Sequence, residues 1–195
     1  SPSVRRQRTA TGTTAGDLWR TPGHEDDSWT KGTTSLSLDP NGDYPSLAHT
    51  DISGVWEPST TGLFIRIPFT FNSNPSPVGL RLKLRYDDGF IAYLNGVEVA
   101  RDNTPRIVKW TSYAPESRSL EQARTLTALD LTQHGTRLTE GTNLLSIHLL
   151  NAETEPATLL FTATLEALLS LSLEDGQGDP DQDGLTNSEE ARLGT

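Results

Sequence analysis

Two groups of residues in this 195-residue sequence have types and spacings that could do chemistry. The first is "DPDQDGLTNSEEARLGT", residues 179 to 195, where Asp179, Asp181 and Asp183 alternate, Gly184 follows, and Glu190 comes after five intervening residues. This is the spacing of a calcium loop of about 12 residues, in which alternating carboxylates and a final bidentate Glu surround a hard cation with oxygen. Leu185 would lend its backbone carbonyl and Asn187 would act through water. The expected cofactor is therefore calcium, held by Asp179, Asp181, Asp183, Leu185, Asn187 and Glu190. Its expected role is structural, pinning a spacer between modules.

The second group is aromatic. Trp110 and Tyr113 lie in "RIVKWTSYAPESRS", and Trp56 lies in "SGVWEPSTTG", polar stretches where no strand period demands burial. Rings in such loops can stack on the apolar faces of sugars, so these three are candidate ligand platforms; the alternative is a loop lid packed on its own core. Asp87 and Asp88, just before Gly89, are candidate ligand residues too, against the alternative of turn-forming acids where a hairpin begins. Arg81, Lys83 and Arg85 form a basic row that could meet an acidic polysaccharide or be a strand's solvated face.

Catalysis has less support. His24, His49, His134 and His148 stand alone in sequence, with His148 read as a satisfied core or edge residue of a strand, and no G-x-S-x-G, H-E-x-x-H or phosphate loop occurs. Acids able to cleave a glycoside would have to come from distant strands, which spacing does not reveal.

Composition narrows the partners. With 26 Asp and Glu against 16 Lys and Arg, the net charge of -10 repels nucleic acid and anionic lipid. No run of 18 apolar residues suits membrane insertion, and the lack of Cys removes disulfides and thiolate metal sites. The calcium loop then speaks for compartment, because such loops fill where calcium is millimolar, outside cells. The absence of Met fits a piece of a longer precursor. A secreted or cell-surface protein is expected.

The elements that must position these residues are strands. "LFIRIPFTF" puts Leu63, Ile65, Ile67, Phe69 and Phe71 on one face and Arg66, Pro68 and Thr70 on the other. "GLRLKLRY" repeats the alternation with Leu80, Leu82, Leu84 and Tyr86 inward. "GFIAYLNGVEVAR" carries Asn95-Gly96 between two β-prone runs, a strong hairpin signal. "LTALDL", "NLLSIHLLN" and "ATLLFTATLEALL" read as further strands. The expected fold is all-β: an antiparallel β-sandwich, or jelly roll, over residues 17–172. An N-terminal arm or linker at 1–16 precedes it and a calcium-binding loop repeat at 173–195 follows it.

Two resemblances add to this. "YDDGFIAYLNGVEVARDNTP", "EGTNLLSIHLLN" and the early "DDSWTKG" resemble the non-catalytic, carbohydrate-binding type of galactose-binding-like jelly-roll module found in secreted bacterial multidomain proteins. The resemblance implies a jelly roll, a core role for Trp19 and Trp29, and polysaccharide or glycan as partner. It also makes Asp87 and Asp88 structural first, although they are similar to the paired aspartates with which some adhesin domains hold calcium and a sugar. The tail resembles a thrombospondin type 3 or dockerin-like calcium repeat. Together these imply a carbohydrate-binding or adhesion module. The alternatives are a self-associating surface or filament subunit, bound to neighbouring domains or copies of itself, and a glycan-active enzyme.

Overall fold

The computed structural model describes residues 3–6, 17–54, 56, 61–72, 74, 76–152 and 158–169. Eleven strands are present among them: β1 (Ser3–Arg6), β2 (Thr30–Lys31), β3 (Ser35–Leu38), β4 (Thr50–Asp51), β5 (Gly62–Phe71), β6 (Pro77–Asp87), β7 (Gly89–Leu94), β8 (Val97–Asp102), β9 (Thr127–Asp130), β10 (Gly141–Leu150) and β11 (Leu159–Leu169). They form a six-stranded sheet in the order β2-β1-β5-β10-β7-β8 and a five-stranded sheet in the order β4-β3-β11-β6-β9. All pairings are antiparallel except β3 with β4. From β9 onward each strand lies in the other sheet from its predecessor, the alternation of a jelly roll. The fold is an antiparallel β-sandwich.

The alternating residues build its core. Leu63 and Ile65 of β5, Leu80, Leu82, Leu84 and Tyr86 of β6, Phe90, Ala92 and Leu94 of β7, and Leu145, Ile147 and Leu149 of β10 all enter one buried cluster with Leu36 and Phe161. Register keeps them on one face, since Ile147 lies opposite Ile65 and Ala92, and Leu149 opposite Leu63 and Phe90. Arg81 is exposed, and Lys83 and Arg85 are half-exposed, as the alternation requires. The hairpin turns at Asn95-Gly96 with φ of 50° and 88°, the left-handed pair of a type I′ turn. The Asn95 side chain fastens that turn, accepting from the Leu144 amide at 2.8 Å and donating to the Arg137 carbonyl at 2.8 Å.

The alternation misleads on the other face of the six-stranded sheet. Arg66 was expected among the polar positions of a half-buried strand, yet it is 3% exposed. The segment 17–31 lies over it as a strap. Arg66 donates to Asp26 Oδ2 at 3.0 Å and to the carbonyls of Thr21 at 2.9 Å, His24 at 3.1 Å and Trp19. Trp19 and Trp29 of the strap pack on Ile91 and Tyr93, with Phe64 and Val108 beside them, forming a second core outside the sandwich. This bears out the core expectation for both tryptophans.

One further expectation changes, and another falls beyond the residues described. Residues 1–16 read as an arm because almost nothing in them is apolar, yet Ser3–Arg6 pairs with β2 and β5 inside the six-stranded sheet. Composition reports side chains, whereas a ladder is made by backbone groups that every non-proline residue carries. The expected calcium loop at 173–195, with Asp179, Asp181, Asp183, Leu185, Asn187 and Glu190, lies outside the described residues. Among the described residues, no helix is long and apolar enough to cross a membrane.

Candidate ligand-binding end of the sandwich

At one end of the sandwich, β6 passes to β7 through Asp87 and Asp88, joined by a cis peptide. Both are buried. Asp87 Oδ2 accepts from the Tyr44 hydroxyl at 2.9 Å and the Thr158 hydroxyl at 3.1 Å. Asp88 accepts from the backbone amides of Arg118 at 2.7 Å and Ala152 at 2.8 Å. Burial first, and the neighbouring Asp88 carboxyl second, hold the Asp87 carboxyl well above the ordinary carboxylate range. The pair thus ties together three segments that arrive from distant parts of the chain, the 39–49 loop, the loop after β10 and the stretch before the short helix α1 (Leu120–Arg124). Both acids point at protein donors, which is the structural role that the resemblance puts first.

Asp88 also orders the long loop 103–119. Its backbone carbonyl accepts from Asn103 Nδ2 at 3.1 Å, and the same Nδ2 donates to the Glu116 carbonyl at 2.6 Å, so one side chain clamps both ends of the loop. Asn103 sits in the left-handed region, φ 47°. Close approach is built in at Gly89, where a Cβ would lie 2.3 Å from the Asn103 carbonyl oxygen. Within the loop, Lys109 N donates to Ser112 Oγ at 2.9 Å, Ser112 N returns a bond to the Lys109 carbonyl at 3.0 Å, and buried Ala114 donates to the Asn151 carbonyl at 3.0 Å. Val108 packs against the strap's aromatic cluster.

On this fixed backbone Trp110 is 39% and Tyr113 is 45% exposed, with Ile107 standing further out. Trp56 is different. It is half-buried and packs against the main core, its amide donating to the Ile52 carbonyl at 3.1 Å, and its Nε1 is buried without an acceptor among the described residues. The lid alternative describes Trp56, and its ring is not a free platform. A polar segment can still be folded onto a core by its neighbours, which local composition does not report.

Sequence spacing missed a second group at this end. Tyr86 donates its hydroxyl to Asp102 at the close of β8, while Arg118 stacks 4.0 Å over the Tyr86 ring and donates to the Tyr86 hydroxyl at 2.8 Å and the Gln122 carbonyl at 2.9 Å. These residues come from three separate elements, so no local motif could announce them. The basic row, by contrast, is largely satisfied within the sheet: Lys83 pairs with Glu166 at 2.7 Å, Arg85 donates to the Arg124 carbonyl at 2.7 Å, and Arg81 faces Asp130 across the ladder.

His148 lies in β10 under the strap, 4.7 Å from the Phe64 ring and 6.4 Å from that of Trp19. Its Nε2 is buried with no partner among the described residues, which departs from a satisfied core histidine. Burial, with a smaller push from Arg20, lowers its pKa to about 3 and keeps it neutral. Among the described residues, no group of three or more His, Asp or Glu is placed to hold a metal ion.

No family model and no curated protein matches the chain. Among solved structures it is similar to beta-glucuronidase 2 of Bacteroides uniformis, at 13% identity and a TM-score of 0.44, covering 84% of this chain and 17% of that one. It is similar to a glycosyl hydrolase family 2 member from Bacteroides cellulosilyticus at 13% and 0.46, covering 84% and 20%. It is also similar to the alpha-L-rhamnosidase of Streptomyces avermitilis, complexed with L-rhamnose, at 22% and 0.39, covering 57% and 9%. The chain spans a fifth or less of each of these proteins.

Proposed function

We propose that this chain is a non-catalytic carbohydrate-binding module of a secreted or cell-surface protein, and that glycan stacks on Trp110 and Tyr113 of the 103–119 loop. One observation carries the reading: two half-exposed rings stand on a loop whose backbone is pinned at its ends, its middle and its apolar anchor. A ring already held in place loses little conformational freedom when a sugar docks, so more of the stacking free energy survives as affinity. The resemblance of "YDDGFIAYLNGVEVAR" to sugar-binding jelly rolls points the same way.

If sugar stacking resembles base stacking, one ring contributes about 1 to 3 kcal/mol, roughly five- to 150-fold in affinity. A glycan array probed with wild type and Trp110→Ala tests this. A loss of that size on the glycans retained, with an unchanged melting temperature, is expected. Equal retention of the two proteins would sink the stacking role, and retention of no glycan at millimolar calcium would favour a self-associating surface subunit.

In the same reading the tail binds one calcium through Asp179, Asp181, Asp183, the Leu185 carbonyl and Glu190 at about 2.3 to 2.6 Å, with Asn187 acting through water. Calorimetric titration with calcium should give a heat that Glu190→Ala reduces or abolishes. Equal heats from both proteins would remove the claim.

A further inference from the structure

We infer that the aromatic loop has a polar subsite beside it, in the cleft between the end of β8 and α1, and that this subsite takes a neutral, hydroxyl-rich sugar residue rather than an acidic or sulfated one. The inference rests on the carbohydrate reading and adds the class of glycan.

The cleft measures about 380 Å³ and is lined by Asp102, Asn103, Glu116, Ser117, Arg118 and Gln122, among others. That volume falls within the roughly 300 to 1,000 Å³ of small-ligand sites. Much of its wall is the loop that presents Trp110 and Tyr113. Pro115, in the wall, is two residues past Tyr113, so at most about 7 Å separates their Cα atoms. One glycan chain can therefore lie on the rings and reach the cleft.

The walls are fixed before any ligand arrives. Arg118 is held by its bonds to the Tyr86 hydroxyl and the Gln122 carbonyl, and pairs with Asp102 at 3.5 Å. Gln122 belongs to a capping box with Ser119, which sets the start of α1. Asp102 receives the Tyr86 hydroxyl while its side chain stays 56% exposed, leaving acceptor capacity toward the cleft.

Charge and hydrogen bonding then choose the ligand class. Asp102 and Glu116 oppose one guanidinium, a balance of one net negative charge that disfavours a uronate or sulfate. Carboxylates accept from hydroxyl groups, and Ser117 and Asn103 can donate as well as accept. A divalent cation fits less well, since no group of three His, Asp or Glu assembles here or elsewhere among the described residues.

The test is affinity electrophoresis through gels containing galactomannan, xyloglucan, polygalacturonate or dextran sulfate, at fixed ionic strength and millimolar calcium. Wild type should be retarded by at least one neutral polymer and by neither acidic one. Asp102→Asn and Glu116→Gln should each reduce that retardation about fivefold or more, and Glu116 is exposed enough for its variant to keep the fold. If both variants are retarded like wild type while Trp110→Ala is released, the cleft is refuted and the aromatic platform stands. Retardation by polygalacturonate or dextran sulfate alone refutes the neutral class. No retardation in any gel refutes the carbohydrate reading on which both depend.

Discussion

Replacing Arg66 by Met tests whether the strap over the six-stranded sheet is held by one side chain. The guanidinium reaches Asp26 and the carbonyls of Trp19, Thr21 and His24, and is itself almost fully buried. Removing one partner of a buried pair destabilises by about 3 to 5 kcal/mol. Asp26 retains some solvent, 21% of its side chain, and the carbonyls can regain water once the strap lifts, so the lower figure applies, about 3 kcal/mol. The main core lies on the opposite face of the sheet and keeps its contacts. Trp19 and Trp29 ride on the strap, so their fluorescence reports its departure while far-ultraviolet circular dichroism reports the sandwich. With m of about 2 kcal/mol/M, the fluorescence midpoint in urea should fall by about 1.5 M, ahead of the dichroism midpoint. Coincident midpoints shifted by less than about 0.3 M would show that the guanidinium network does not hold the strap.

Two titration predictions follow from burial. His148 has a folded pKa of about 3 against about 6.5 unfolded, so below pH 6.5 the unfolded chain takes up a proton that the fold refuses. Stability should therefore fall by about 1.4 kcal/mol per pH unit from 6.5 toward 3, and His148→Phe should flatten that slope in urea titrations; an unchanged slope would contradict the buried neutral imidazole. Asp87 has the opposite sign: its folded pKa is raised, so its contribution is complete below the ordinary carboxylate range and is lost as pH rises toward the folded value. Asp87→Asn keeps an acceptor for the Tyr44 hydroxyl without the charge, so its melting temperature relative to wild type should rise between pH 5 and pH 8, and a constant difference would refute the elevated carboxyl.

The inner faces of the sandwich were legible because period-two alternation is a local property: Leu80, Leu82, Leu84 and Tyr86 can face only one way once the strand forms. The Asn95-Gly96 turn was legible for the same reason. Arg66 was not, because its burial depends on a strap some 40 residues away in sequence, and nothing within β5 reports that cover. Trp56 and Trp110 look alike in sequence, both in polar stretches, and the tertiary path of the chain separates them. The Tyr86, Asp102, Arg118 group was illegible because three elements contribute one residue each.

The carbohydrate reading is tested most directly by recording amide and indole resonances of isotope-labelled protein while adding an oligosaccharide cut from whichever polymer retards it. Shifts should concentrate at the Trp110 indole, Tyr113 and Ala114, with a second set at Asp102, Glu116 and Arg118, and little change at Trp19 and Trp29 under the strap. Shifts confined to the outer strands, with the 103–119 loop unmoved at saturating oligosaccharide, would contradict it.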